Sequence, residues 1–142
     1  MEQERDLILT CDAGTTGLKC SLFNTRGEAV RTVRRAYSTE YPRHNWAQQD
    51  SDVIIENVYS GIRELLEQVS ARRVACVGLS GHMNGCIPVD EAGRALAPNI
   101  IHADSRAERQ VEEIARVISP AEFTGSPATA WTRTTRCRRC CG

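Results

Sequence analysis

A carboxylate, two glycines, two adjacent hydroxyls and a lysine occur within the eight residues Asp12 to Lys19, DAGTTGLK. Apolar runs over 7–11 and 18–23 precede and follow them, which predicts two antiparallel strands joined by a glycine turn. Glycines let backbone N–H groups approach an anion closely. The threonine hydroxyls can donate to phosphate oxygens, Lys19 can offset their charge, and Asp12 can hold Mg²⁺ directly or through water. We therefore predict a phosphate-binding hairpin; its residues are Asp12, Gly14, Thr15, Thr16, Gly17 and Lys19.

An ordinary hairpin with a glycine turn is the alternative interpretation, because such hairpins are common. We favour phosphate binding since the acid, the glycines, the paired threonines and the lysine all occur in one turn.

The elements that would position this turn indicate an α/β fold with a mixed sheet and crossover helices. Three strands are predicted over 7–11, 18–24 and 29–35. Apolar residues at helical spacing predict a helix over 53–70, capped by Asp50 or Ser51. The run 73–80 then reads as a buried, central, parallel strand that the helix reaches by crossover.

Shorter elements follow this strand. Residues 81–85 form a loop at its carboxyl end, where open α/β sheets usually place ligands. Short strands are predicted over 86–90 and 99–101, and a helix over 105–118. The segment 38–49 is a polar loop.

Composition excludes several functional classes. The chain has 142 residues, enough for one domain with a core, and 18 basic residues balance 18 acidic ones, so no strong field indicates nucleic acid or a membrane surface. The amino terminus has no apolar signal core, and no run approaches a membrane span. We expect a cytoplasmic protein whose Cys11, Cys20, Cys76 and Cys86 are reduced, small apolar residues in strands.

Four motifs in order resemble the N-terminal part of the FGGY family of carbohydrate kinases. They are DAGTTGLK at 12–19, WAQQD at 46–50, GLSGHMNG at 78–85 and IHADSR at 101–106. The resemblance runs from about Asp6 to Phe123, and the third motif is similar to that of xylulokinase-like members. It implies a partial actin-like, ribonuclease-H-like ATPase domain.

The resemblance also implies ATP-dependent phosphorylation of a sugar or polyol hydroxyl, with ATP and Mg²⁺ at the glycine turn. Met83 and Asn84 would contact the sugar, and an amide at Asn84 can donate to and accept from a hydroxyl. Glycerol kinases carry an Arg-Glu pair at these two positions, which disfavours glycerol. The implied substrate-binding residues are His82, Met83, Asn84, Asp104 and Trp46. The family's general base and adenine pocket lie downstream of these motifs, so we expect this chain to be inactive alone.

Structural roles compete with each of these assignments. His82 is read as a loop histidine that closes a hydrogen bond if the motif is ignored, and Met83 as core filler. Trp46 either covers a sheet edge or stacks on a sugar. For Asp104 and Arg106 we favour capping and pairing at the start of the last helix over direct catalysis, although Asp104 can also border the sugar pocket.

The sequence changes character after Phe123: residues 124–142 contain no Leu, Ile, Val or Met and are dominated by Thr, Arg and Cys. Plausible GC-rich codons for this segment, with one T restored after the Phe123 codon, encode FYRLTGNRLDPHYTL, which resembles the family's continuation. Our leading hypothesis is a frameshift that gives a disordered segment without function. The domain prediction is therefore a kinase part over 1–123 and an aberrant segment over 124–142.

Other functional classes remain open. The chain could be a sugar- or nucleotide-binding fragment without catalysis, or a different actin-like kinase. It could also be a small metal- or redox-responsive protein that uses Cys137, Cys140 and Cys141, although a zinc site needs about four ligands.

Overall fold

The computed structural model describes residues 5–118, and these form two compact units. The first unit contains residues 5–38 and 50–82, and the second contains 39–49 and 83–118. The elements follow in chain order: β1 (Leu7–Ala13), β2 (Gly17–Asn24), β3 (Ala29–Ala36), β4 (Gln48–Gln49), α1 (Ser51–Leu66), a 3₁₀ turn (Ala71–Arg73), β5 (Val74–Gly81), β6 (Asn99–Ile100) and α2 (Glu108–Ala115).

The first unit is a four-stranded sheet with strand order β3-β2-β1-β5. The pairs β1–β2 and β2–β3 are antiparallel, and β1–β5 is parallel. Helix α1 makes the connection from the antiparallel strands to β5. The predicted mixed sheet with a crossover helix is therefore confirmed.

Alternation along the strands builds the core of this unit. The apolar side chains Leu9, Cys11 and Leu22 are buried, and Leu65 of α1 packs with them. A leucine that is fully removed from water stabilises the fold by roughly 1.5–3 kcal/mol. Gly61 lets α1 approach the sheet closely, because a Cβ there would lie 3.2 Å from Leu18 and 3.4 Å from the Cys20 sulfur.

Helix α1 begins at Ser51, directly after the first of its two predicted caps, and ends earlier than predicted. The Asp50 carboxylate accepts the N–H groups of Asp52 at 2.8 Å and Val53 at 3.3 Å, as an N-cap does. The helix ends at Leu66 instead of residue 70. Ser70 instead caps the 3₁₀ turn that leads into β5.

The predicted burial of the 73–80 strand is wrong. β5 is parallel to β1 as expected, but it lies at the edge of the described sheet, and seven of its eight residues are exposed. Leu79 is 77 % exposed, and Cys76 is exposed as well, contrary to the expectation of a packed thiol. The apolar run indicated a strand that can be covered on both faces, whereas α1 packs mainly on β2 and β3.

The second unit contains little regular structure. β4 and β6 form a two-stranded antiparallel ladder, so the predicted polar loop over 38–49 ends in a strand. The predicted strand over 86–90 is wrong: its residues make only the isolated pairs Cys86–Ile100 and Val89–Ala95. Asp90 accepts hydrogen bonds from the backbone N–H and the Nε of Arg94, and these close a turn that follows the segment.

Helix α2 is shorter than predicted. It spans Glu108–Ala115 rather than residues 105–118. No helix within 5–118 is both long and apolar enough to cross a membrane. The predicted disordered segment over 124–142 lies outside the described residues.

Candidate functional site

The glycine turn, residues 12–19, joins β1 to β2. Asp12 lies directly opposite Lys19 in the antiparallel register. The Gly14 N–H donates to the Gly17 carbonyl at 3.0 Å and closes the turn. The prediction that the two strands lie side by side, with the acid at the mouth of the turn, is confirmed.

The two glycines of the turn have different surroundings. A Cβ at Gly17 would lie 2.3 Å from the carbonyl oxygen of Arg35 on β3, so another residue would push β2 and β3 apart. A Cβ at Gly14 would meet only the Gly17 carbonyl oxygen, at 3.5 Å. Gly17 is therefore required by the sheet, and Gly14 borders open space.

Tyr37, which the sequence analysis missed, fixes the position of the turn. Its hydroxyl donates a hydrogen bond to the Gly14 carbonyl. Burial, with a smaller contribution from the Asp12 charge, raises the pKa of Tyr37, so the phenol remains a donor at neutral pH. The register of β2 and β3 is the signal that could have identified Tyr37. Ala36 pairs with Gly17, so the next residue, Tyr37, lies beside the turn.

Charges without partners lie at the mouth of the glycine turn. Asp12 and Lys19 are both exposed, and neither side chain makes a hydrogen bond or an ion pair with any residue in 5–118. Ser80 of β5 is in register with Asp12 on its other side. A hydroxyl, a carboxylate and an ammonium group thus occupy neighbouring positions across three strands and are open to solvent.

The donor atoms of the turn fit Mg²⁺ that arrives with phosphate. The hydroxyls of Thr15 and Thr16 lie on the same turn as the Asp12 carboxylate. Thr16 is exposed and Thr15 is half-buried. Mg²⁺ usually takes one or two carboxylates and completes its shell with water and phosphate oxygens. Asp12 supplies one carboxylate, and residues 5–118 contain no cluster of three or more His, Cys, Asp or Glu.

His82 contacts the end of β1. Its backbone N–H donates to the Ala13 carbonyl at 2.9 Å, and its ring Nδ1 lies 3.4 Å from the same oxygen. The side chain is half-buried. These contacts agree with the interpretation of His82 as a histidine that closes a hydrogen bond.

Met83 and Asn84 belong to the second unit. Met83 is 81 % exposed, so the core-filler interpretation is wrong. Asn84 is exposed and adopts a φ of 64°, in the left-handed region that asparagine tolerates better than most residues. Both side chains are open to solvent.

Two arginines contact Trp46. The Arg106 Cζ lies over the ring at 3.9 Å from its centroid, and the Arg43 Cζ lies at 5.0 Å. Cation–π contacts of this kind fall within the usual limit of about 6 Å. They account for Trp46 without a sugar, and the face under Arg106 is not open for stacking.

Asp104 is buried and holds this arginine in place. It accepts the Ala47 N–H at 2.6 Å and pairs with Arg106 Nη2 at 2.8 Å. Burial opposes its ionisation, but the hydrogen bonds from Arg106 and Ala47 outweigh it, and the pKa of Asp104 lies below its usual value. The predicted pairing with Arg106 is confirmed. The predicted capping is wrong, because α2 begins at Glu108 and its N-cap, Ala107, makes no side-chain cap.

The same network borders a pocket. Arg106 Nη2 donates to Gln48 Oε1 at 3.1 Å, which links the arginine to β4. An open pocket of about 380 Å³ adjoins Trp46 and Arg106, and Asp104 is not among the residues that line it.

The predicted site residues are divided between the two units. The first unit contains the six residues of the glycine turn and His82, and it brings the charged members of the turn together with Ser80. The second unit contains Met83, Asn84, Trp46 and Asp104.

Similar proteins agree on one class of enzyme. Xylulose kinase of Staphylococcus xylosus is 25% identical over 107 residues, which are 75% of this chain and 22% of that protein. Glycerol kinase of Trichodesmium erythraeum is 31% identical over 111 residues, 76% of this chain and 22% of that protein. The chain thus spans about a fifth of the length of these curated relatives.

Solved structures show the same fold. Plasmodium falciparum glycerol kinase with ADP matches with a TM-score of 0.84 over 92% of this chain and 27% of that chain, at 18% identity. At this identity the likeness shows the fold alone, and it confirms the predicted α/β, actin-like ATPase fold with a mixed sheet. The model of the FGGY family of carbohydrate kinases, N-terminal domain, matches residues 7–135. Because this match covers far more than half of the sequence, the chain belongs to the FGGY family of carbohydrate kinases.

Proposed function

We propose that the glycine turn binds the phosphates of ATP in a reaction that phosphorylates a hydroxyl of a sugar or polyol. The observation that supports this most directly is the pair Asp12 and Lys19. Cross-strand neighbours of opposite charge usually attract each other, yet these two are exposed and form no ion pair. They are available to a ligand that carries both a metal ion and negative charge.

Five of the six predicted turn residues contact the ligand in this proposal, and Gly17 allows the close approach of β2 to β3. ATP supplies the phosphoryl group, and Mg²⁺ offsets the charge of its phosphates. Asp12 holds the metal ion directly or through water, and Lys19 contacts phosphate oxygens as a point charge. Thr15 and Thr16 donate from their hydroxyls, and Gly14 offers its open side to the phosphates.

The first proposed substrate contacts come from the loop over 81–85, which follows β5. The exposed Asn84 amide hydrogen-bonds substrate hydroxyls, Met83 packs on the apolar face of the carbon chain, and His82 borders them. Trp46 and Asp104 are proposed to border the substrate as well; Asp104 acts through Arg106, since its own oxygens are bonded. The named relatives act on xylulose and on glycerol, which supports a sugar or polyol for this chain.

We further propose that the 142-residue chain binds nucleotide but does not catalyse phosphoryl transfer by itself. It spans about a fifth of the length of its curated relatives, and phosphoryl transfer requires that both substrates be positioned and their charge stabilised. The second candidate function for the isolated chain is therefore nucleotide or sugar binding without catalysis.

Isothermal titration calorimetry of the full 142-residue chain with ATP–Mg²⁺ tests the nucleotide proposal. Saturable heat is expected, and Lys19→Ala should weaken binding by about 10–100-fold, as the loss of a hydrogen bond to a charged group does. Arg26→Ala is the matched control: Arg26 is exposed and pairs with Glu28 in the turn between β2 and β3, away from the glycine turn. No saturable heat, or equal affinity in both variants, would contradict the proposal.

A coupled assay of ADP release, with xylulose or glycerol added, tests the proposal that the chain alone does not catalyse phosphoryl transfer. We expect no turnover above the sugar-free control at any concentration of the chain. Turnover that depends on the sugar and on Lys19 would overturn the claim of inactivity while supporting the kinase assignment.

A further inference from the structure

Two buried cysteines face each other directly behind the glycine turn. Cys11 on β1 and Cys20 on β2 are cross-strand partners, and their sulfur atoms are 3.0 Å apart. The Cα atoms of such partners lie about 4.5 or 5.5 Å apart, within the span of roughly 4.4–6.8 Å that disulfides allow. The sulfurs need to approach by only about 1 Å to reach the bond length of about 2.05 Å.

We propose that Cys11 and Cys20 are a modification site that hydrogen peroxide converts to a reversible disulfide. The bond would join β1 to β2 one residue behind Asp12 and Lys19. This proposal does not depend on the proposed function, because it rests on the geometry of the two thiols alone.

The chemistry balances with peroxide as the oxidant. Peroxide oxidises one thiol to a sulfenic acid and releases one water. The second thiol then attacks that sulfur, the S–S bond forms, and a second water leaves. The two cysteines together lose two electrons and two protons, and a dithiol such as dithiothreitol reverses the reaction.

Access to the pair requires a local opening of the fold. Cys11 is 3% exposed and Cys20 is not exposed at all. Helix α1 covers Cys20, since a Cβ at Gly61 would lie 3.4 Å from the Cys20 sulfur. Peroxide therefore reaches the thiols when α1 separates from the sheet, and the cross-strand register keeps the sulfurs together during that opening.

Tryptic peptide mapping of the full chain tests the proposal. Cleavage after Lys19 separates the cysteines, because Cys11 falls in peptide 6–19 and Cys20 in peptide 20–26. After peroxide treatment and alkylation of the remaining thiols, we expect a disulfide-linked pair of these two peptides. The pair should come from monomeric chain on a non-reducing gel and disappear after dithiothreitol.

Cys76 is the internal control, because it is exposed and should oxidise or be alkylated under mild conditions. The proposal is overturned if Cys76 is fully oxidised while Cys11 and Cys20 are recovered as alkylated thiols after denaturation. It is also overturned if either thiol proceeds to a sulfinic acid or links to another cysteine. The 3.0 Å contact would then be only a weak S–H···S hydrogen bond.

Thermal unfolding provides a second readout that needs no variant. The disulfide closes a loop of about ten residues, which should raise the Tm of the oxidised chain by roughly 5–15 °C over the reduced chain. In Cys11→Ala, oxidation should produce neither the linked peptides nor the rise in Tm. If this variant does not fold, the peptide map of the unmodified sequence still decides the question.

Discussion

The glycine turn combines two residues that serve different parts of the molecule. Gly17 faces the backbone of β3, whereas Gly14 faces open space and has its carbonyl held by Tyr37. The motif alone predicts that both glycines allow the close approach of an anion. Only Gly14 has surroundings that match that assignment, because the space beside Gly17 is filled by the Arg35 carbonyl.

Gly17→Ala should therefore destabilise the fold. The new methyl group would meet a backbone oxygen at 2.3 Å, which no rotamer change relieves, and we expect a loss of about 1–3 kcal/mol in the free energy of unfolding. Urea denaturation measures it, with Gly14→Ala as the matched control expected within about 0.5 kcal/mol of the original chain. Equal stabilities of the two variants would show that β3 does not restrict Gly17.

Asp104 determines part of the acid sensitivity of the second unit. Its pKa is lowered from the ordinary value of 3.8 because the hydrogen bonds outweigh its burial. The folded state thus favours the ionised form. The stability that this carboxylate contributes is fully present well above pH 3.8 and is lost as the pH falls through 3.8 to the lower folded pKa.

Asp104→Asn should cost about 1–3 kcal/mol at pH 7, because Arg106 and the Ala47 N–H lose a charged acceptor. The difference from the original chain should shrink as the pH falls toward 3. Chemical denaturation at several pH values measures both effects, and Glu112→Gln, an exposed neighbour on α2, is the control. A difference that stays constant with pH would mean that Asp104 acts through its shape and not its charge.

Among the elements, β1, β2, β3 and α1 were predictable from the sequence, and β5 only in part. Alternating and helical periods report which face of an element is apolar, and the core around Leu9, Leu22 and Leu65 follows them. The same periods do not report whether a helix or a second sheet packs on β5, because that depends on residues distant in sequence. The segment over 86–90 was misassigned because it forms isolated pairs at Cys86 and Val89 in place of a continuous ladder, and its apolar run does not distinguish the two.

The contrast between β2 and β5 can be measured. Leu22→Ala should cost about 2–5 kcal/mol in the free energy of unfolding, because Leu22 is not exposed at all. Leu79→Ala on β5 should change it by less than about 0.5 kcal/mol, because this side chain is 77 % exposed. A large cost at Leu79 would indicate that the β5 face is covered in solution.

At the scale of the whole molecule, the glycine turn was the part of the candidate site that the sequence predicted best, because its motif lies between two strands whose pairing the apolar runs indicate. The register of β1 and β2 brings Asp12 opposite Lys19, as the two apolar runs indicated. The partners of Trp46 and Asp104 were less accessible to sequence reasoning: Arg43 was missed at the Trp46 ring, and Ala47 was missed as a donor to Asp104. Such contacts depend on loop conformation, for which the sequence carries no periodic signal.

The family assignment and the open charges of the glycine turn lead to one central claim, that this turn binds a nucleotide's phosphates. Two-dimensional ¹⁵N NMR of the full chain, titrated with ADP–Mg²⁺ and separately with Mg²⁺ alone, tests it most directly. We predict saturable shifts of the Gly14, Thr15, Thr16 and Gly17 amide signals with the nucleotide, larger than any shift in the β2–β3 turn at Gly27. Unchanged amide signals across residues 12–19 at saturating nucleotide, or shifts confined to other segments, would contradict the claim.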